Sequence, residues 1–394
     1  MVNELLNRKG RQQASLRETE ATDSLRAPMD LPFFLLVLLL LSVGVIMVLS
    51  ASFASAYYDI TRVTGGNPTH YFFRQAIFAI SGVLLMLVIS RFPTSFYRRI
   101  ALPAMALTIF LLLLVPFIGT EGGGATRWIN LGFTTFQPSE LAKPAVVLLF
   151  AHMICIYKDQ MKTFRYGVLP FVICLVPILF LLYLQPHLSA MVIILAVGIC
   201  MMFLGGTHMG WFVGGLGAAA AGGFVLVNQL GHASARISAW QNPFNDPQGA
   251  GWQIIQSLLA IGSGGVLGLG LGQSRQKYLY LPEEHNDYIF AIVAEELGFI
   301  GVVMILSLFA MLVIRGFWIA LHAKTKFGTL IAGGMSSLLA LQVFLNVGVV
   351  TNLLPPTGIS LPFFSYGGTA LWFQLLCMGV ILSVSREIPA KKAG

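Results

Sequence analysis

Glu283, Glu284, His285 and Asp287 fall within five residues, in the stretch Leu281-Pro282-Glu283-Glu284-His285-Asn286-Asp287-Tyr288, directly before a long apolar run. A carboxylate in such a place can accept a proton from a hydroxyl, and burial beside apolar surface raises its proton affinity toward neutral pH. The whole chain is 56% hydrophobic and 10% charged. Charge beside a bilayer is costly and usually has a purpose. Asp287 is the candidate general base. Its plain structural role would be a helix N-cap, with Asn286 or Asp287 satisfying the first orphan amides of the next helix, and the two roles are compatible.

Two more acids lie further on. Continued as one helix from Asp287, the chain places Glu295 about 12 Å deeper and rotated by about 80°, with Glu296 on the opposite side. One face cannot hold both glutamates, so at least one must meet a partner or a wet cavity inside the bundle; a structural polar network is the stronger reading. A second charged set opens another apolar run, Gln137-Pro138-Ser139-Glu140-Leu141-Ala142-Lys143. Pro138 and Ser139 are helix-start signals. Glu140 and Lys143, three apart, can meet on one face, either as a self-neutralising pair or as a charged wall for an anionic headgroup. Arg127-Trp128 upstream joins a cation to an interfacial aromatic. His187, in the turn Gln185-Pro186-His187, reads as a satisfied turn residue and not a metal ligand.

Other motifs point to packing. The run Gly262-Ser263-Gly264-Gly265 through Gly272 has no GK[ST] and no βαβ context, so close backbone approach explains it better than nucleotide binding. Gln342 and Asn346 precede a segment with three prolines and three glycines between Pro355 and Gly368, a rigid non-helical loop that also carries Ser365 and Tyr366. The four cysteines lie in apolar segments, with no CxxC and no histidine at ligand spacing, so neither a disulfide nor a metal framework is expected.

The elements that must position these residues are membrane helices. The run Leu31 to Ala56 has no charge and is long enough to span. Ten spans are expected, near 31–53, 70–90, 100–118, 139–157, 166–184, 188–204, 210–229, 287–314, 327–350 and 366–385. The fold class is therefore an all-α integral membrane protein of about ten transmembrane helices. Residues 1–30 read as a disordered cytoplasmic tail, 31–386 as the membrane domain and 387–394 as a second cytoplasmic tail. With both termini inside, 17 of the 24 Lys and Arg residues fall on the cytoplasmic side. The net charge of +8 reflects that bias and not nucleic-acid binding. One long extracytoplasmic loop, 230–286, remains, with Ile254 to Leu271 as a re-entrant or interfacial segment.

Together these segments resemble the SEDS family (shape, elongation, division and sporulation) of membrane glycosyltransferases. The resemblance rests on Arg127-Trp128-Ile129-Asn130-Leu131-Gly132, Gln137-Pro138-Ser139-Glu140, the loop from Trp240 through Gln253, Leu281-Pro282-Glu283 with Asp287 and Glu295-Glu296-Leu297-Gly298, and Pro355-Pro356-Thr357-Gly358 through Ser365-Tyr366-Gly367-Gly368. Gly44-Val45-Ile46-Met47-Val48 and the Ser385-Arg386 ending are more similar to the division and sporulation members, FtsW and SpoVE, than to RodA. The resemblance implies polymerisation of lipid II into glycan strands at the outer face of the bacterial cytoplasmic membrane, with release of undecaprenyl pyrophosphate. It implies Asp287 as catalytic aspartate and Glu140, Lys143, Arg127, Ser365 and Tyr366 as substrate-binding residues, with Glu295, Glu296 and Asn346 as a structural polar network. A class B penicillin-binding protein and other divisome or sporulation proteins are the implied partners. No permanent cofactor is expected; a divalent cation, Mg or Mn, would arrive with the substrate pyrophosphate. The family's Gln-Pro-Asp-Leu-Gly is Gln185-Pro186-His187-Leu188-Ser189 here, so no charged role carries over to that turn. The rival function is a lipid II flippase, which needs a polar path through the membrane where polymerisation needs one outer pocket.

Overall fold

A computed structural model describes residues 27–60, 63–122, 125–132, 134–215, 217 and 237–388. Its principal helices are α1 (Leu31–Tyr58), α2 (His70–Ile89), α3 (Thr94–Ile118), α4 (Pro138–Tyr157), α5 (Leu169–Leu184), α6 (Leu188–Leu204), α7 (Trp252–Gly264), α8 (Ile289–Leu321), α9 (Lys326–Val350) and α10 (Gly368–Ser385). Among the described residues, eight helices are long and apolar enough to cross a membrane, and α6 is a shorter apolar helix of 17 residues. These nine match nine of the ten expected spans. The expected span at 210–229 and the tail 1–26 lie largely or wholly outside the described residues.

The spans show why composition alone announced them. α1 carries no charge over 28 residues, and a helix apolar on every side belongs in lipid or in a protein interior. α4, α9 and α10 form the centre and are mostly buried, whereas α2 and α3 turn apolar flanks outward. α10 packs on α2 and α9, α4 on α3 and α6, and α8 on α1, α7 and α9.

Two features depart from the all-helical expectation. A three-stranded antiparallel sheet joins α3 to α4: β1 (Thr120–Gly122), β2 (Ala125–Asn130) and β3 (Thr135–Phe136), with Thr120 opposite Trp128 and Ile129 opposite Phe136. The second is a break in α8 at Gly298, where φ is 66° and ψ is −170°. The glycine run lies along that break. Leu269 N donates to Glu295 O (3.0 Å) and Gly270 N to Glu296 O (3.0 Å), while Phe299 N donates to Gly265 O (2.9 Å) and Ile300 N to Val266 O (3.2 Å). The backbone groups freed by the break are thus satisfied by a second piece of protein, as membrane depth requires. A Cβ at Gly264 or Gly268 would strike the carbonyl of Ala294 or Glu296, which is the close approach that the glycines permit.

The two ends of the described chain meet at one end of the bundle. Ala27 N donates to Arg386 O (3.1 Å) and Asp30 N to Ser385 Oγ (3.1 Å). Asp30 caps α1 through Phe33 N (3.0 Å) and pairs with Arg315 of α8 (2.7 Å). The turn 322–325 between α8 and α9 lies at this end too. The segments carrying the candidate chemistry lie at the other.

Candidate active site

At that other end, β2, the start of α4, the turn 185–187, the segment 283–288 and the proline-rich loop surround a cavity of about 990 Å³. Its frame is built from hydrogen bonds to backbone. Tyr366 N donates to His285 O (2.8 Å), Ser365 Oγ to Asn286 O (2.7 Å), and Asn346 Nδ2 to Asp287 O (2.8 Å) and Ile359 O (2.6 Å). Gln75 of α2 holds the same loop, donating to Ser365 O (3.2 Å) and accepting from Gly367 N (3.3 Å). Ser365 and Asn346 therefore fix the backbone on either side of the Asp287 side chain. Tyr366 lines the cavity and packs edge-on against Tyr71, with ring centroids 4.9 Å apart.

Asp287 faces this cavity and is not spent on capping. α8 begins at Ile289 with Tyr288 at the cap position and no side-chain cap bond. Gly358, at φ +70°, brings the loop so close that a Cβ there would lie 3.0 Å from Asp287 Oδ2. Burial, and next the neighbouring Glu283 carboxylate, push the Asp287 acid up to about 6, against the pull of Arg127. The group is thus ionised at neutral pH yet basic enough to take a proton.

Cations line the same cavity. Lys143 pairs with Glu140 at 2.7 Å, and its side chain is almost fully buried. Arg127 Nε donates to Gln185 O (3.2 Å) and its Nη2 to Pro186 O, so two carbonyls of the turn orient the guanidinium. Arg74 of α2 is a further cation on the wall and makes no ion pair with a described residue. Sequence reading passed over Arg74; its one signal is a charge inside an apolar span. His187 is buried beside Gln137, and burial, then Arg127 and Lys143, push its imidazole down to about 3, so it stays neutral.

Glu295 and Glu296 lie away from this cavity. Asp287 precedes the helix, so their offsets from it are not helical ones, but the two acids are neighbours on α8 and still point about 100° apart. One segment, 274–277, holds both. Glu295 accepts from Ser274 Oγ, from Arg275 N (3.0 Å) and from Gln276 N (3.4 Å). Glu296 accepts from Ser274 N (3.3 Å), from Ser50 Oγ of α1 (2.6 Å) and from Lys277 Nζ (3.0 Å). Lys277 is 2% exposed and ion-paired. Among the described residues, no three His, Cys, Asp or Glu side chains gather as a metal site would need.

A family model described as a cell cycle protein, FtsW/RodA/SpoVE, matches residues 30–389. Stage V sporulation protein E of Bacillus subtilis is 42% identical over 362 residues, covering 91% of this chain and 97% of that protein. A probable peptidoglycan glycosyltransferase FtsW of Trichlorobacter lovleyi is 40% identical, covering 91% and 93%. Among solved structures, a chain from "Structural coordination of polymerization and crosslinking by a peptidoglycan synthase complex" superposes with TM-score 0.76 at 28% identity, covering 92% and 99%. The rod shape determining protein RodA of Thermus thermophilus superposes with TM-score 0.66 at 27% identity, covering 92% and 98%.

Proposed function

The chain belongs to the FtsW/RodA/SpoVE family, and from that membership we propose that it is a peptidoglycan glycosyltransferase of cell division or sporulation that polymerises lipid II. The observation that carries the reading is one cavity holding a carboxylate base, Asp287, together with Lys143, Arg127 and Arg74. In the step, an acceptor sugar hydroxyl attacks the anomeric carbon of the lipid-linked donor. Its proton passes to Asp287 as the new C–O bond forms. The bond from the anomeric carbon to the pyrophosphate oxygen breaks, and polyprenyl pyrophosphate leaves with the electron pair. One displacement inverts the anomeric centre, as in glycosidases that use a base without a covalent intermediate. The leaving group needs charge neutralisation more than a proton, and the three cations supply it. A divalent cation carried in by the pyrophosphate would find Glu283 and Glu140 as oxygen ligands on the wall and would add to that neutralisation.

The orientation proposed places the cavity on the outer face and both chain ends in the cytoplasm. Reporter fusions after Lys324 and Lys392 should read cytoplasmic, and one inserted within 242–248 extracytoplasmic; the opposite reading at any of them rejects this topology. The cross-linking partner proposed is a class B penicillin-binding protein. The direct test is purified full-length protein incubated with lipid II, with and without such a partner, and the products resolved as glycan strands. A lipid II flippase is the alternative, and the observed polar groups favour it less. Those away from the cavity, Glu295, Glu296 and Lys277, are tied to one another and to serines and backbone.

Lys143 tests the phosphate role. Hydrogen bonds to charged groups are worth about 1.5–3 kcal/mol, so Lys143→Ala should lower glycan synthesis by about 10–100-fold while the protein still inserts and folds. Lys143→Arg should recover part of the loss, because a planar guanidinium keeps the charge but not the geometry. Full activity in the alanine variant would leave the Glu140–Lys143 pair a purely structural one.

A further inference from the structure

We propose that segment 274–277, docked on Glu295 and Glu296, is a clamp that sets the position of the Asp287 carboxylate in the cavity. Lys277, Ser274, Glu295 and Glu296 are then positioning residues for a reaction they do not touch. The inference rests on the reading of Asp287 as the base.

Lys277 stands ten residues before Asp287 and Glu296 nine after it. Their ion pair, at 3.0 Å, closes the segment whose middle presents Asp287. The segment's part before α8, residues 277–288, has no regular structure of its own. It is a series of turns, with Leu281 N bonded to Gln276 O (3.0 Å) and Tyr288 N to Glu283 O (3.2 Å). Leu279 and Glu283 sit at φ +66° and +57°, which side-chain-bearing residues seldom adopt. Ser365 and Asn346 hold the segment's middle from the proline-rich side, and the contacts at its ends set how that middle is presented. Its exit is the first half of α8, broken at Gly298; its entry is fixed to that same half-helix by the clamp. Ser50 ties the pair to α1, donating to Glu296 and accepting from Lys277 (3.3 Å).

Stability alone accounts poorly for this cluster. Buried ion pairs can often be replaced by apolar residues without loss, because desolvation offsets their attraction. What apolar side chains cannot copy is the direction that the two carboxylates impose, Glu295 through Arg275 N and Gln276 N, and Glu296 through Ser274 N and Lys277 Nζ. The charged and titratable groups around Asp287 are Glu283 and Tyr288 on its own segment, Arg127 of β2, Glu140 and Lys143 of α4, Arg74 of α2, Tyr366 of the proline-rich loop and the neutral His187. None belongs to the clamp. Loosening the clamp therefore acts on Asp287 through its placement and solvation, not through a lost neighbouring charge.

The test uses full-length protein in liposomes carrying Lys277→Met with Glu296→Gln, which removes both charges and keeps volume. The variant should insert and melt like wild type and keep its KM for lipid II. Its kcat should fall by about 10–100-fold, the scale of a small misplacement of a reacting group. The acid limb of its pH–rate profile should move to lower pH as Asp287 gains water. In parallel, at a pH low enough to protonate the acid in both proteins, a water-soluble carbodiimide should modify Asp287 faster than in wild type, read by peptide mass spectrometry. An unchanged kcat and acid limb, or unchanged labelling, overturns the clamp. If the double variant does not accumulate, Ser274→Ala removes the hydroxyl bonded to Glu295 and is judged by the same readouts. Wild-type protein that makes no glycan would defeat the proposed function instead, and the labelling rate would still decide the clamp.

Discussion

Replacing Asp287 by asparagine should abolish glycan synthesis and leave the protein folded. Asparagine keeps the size and the hydrogen-bonding outline but cannot take a proton at neutral pH. A positioned general base is worth about 10²–10⁴-fold, so the loss should be of that order. The wild-type acid sits at about 6, so kcat/KM should fall as pH drops through that value and the base protonates. Stability moves the other way. The folded state raises this acid above its unfolded value, so the group favours folding at low pH and that contribution is lost as pH rises through about 6. Asparagine resembles the neutral acid, so the variant should melt slightly higher than wild type at pH 8 and alike at pH 4. A helix cap would give neither result, since asparagine caps as well as aspartate. Synthesis by the asparagine variant near the wild-type rate would sink the catalytic assignment, and lipid II translocation in liposomes would be the next measurement.

The largest stability effect should come from Gly298→Ala. At φ 66° and ψ −170° the backbone lies in a region that is essentially reserved for glycine, at a cost of about 1–3 kcal/mol for any other residue. A Cβ there would also lie 2.6 Å from the carbonyl carbon of Leu267, and overpacking of that kind costs about 1–3 kcal/mol more. Together these come to about 2–6 kcal/mol, a large share of the stability of many domains, so the variant should accumulate poorly and melt well below wild type. Gly262→Ala is the control. That glycine lies in the same run, has no positive φ and would point its Cβ into open space, so it should be silent. Equal melting temperatures for the two variants, measured in detergent, would contradict the break in α8.

What the sequence could reveal followed the range of the interaction. Spans were legible because an uncharged run of twenty or more residues has one cheap environment. Pro138 marked the start of α4, and Glu140 with Lys143 met as their i,i+3 spacing required. The polar stretch ending at Asp287 drew notice because charge beside hydrocarbon is expensive. The break at Gly298 was harder to see, since a glycine within an apolar run is tolerated in an unbroken helix as well. With the break missed, nothing in the sequence brings segment 274–277 to Glu295 and Glu296. The sheet of β1 to β3 left a faint trace, because its strands are only three, six and two residues long. Arg74 belongs to the site only through the approach of α2 to the proline-rich loop, a contact nearly three hundred residues apart in sequence.

The hydrogen bond from Ala27 to Arg386 makes the described chain nearly a closed ring. A ring can be cut elsewhere. The turn 322–325 lies at the same end of the bundle, its Lys324 and Thr325 are exposed, and Arg315 of the preceding helix is already fastened to Asp30. A circular permutant opened there, with a short linker joining Ala27 to Ile388 in place of residues 1–26 and 389–394, would keep every described helix crossing in its original direction. Its first helix would then be α9, one of the three central ones, so the order of insertion into the bilayer could be varied while the final architecture is held constant.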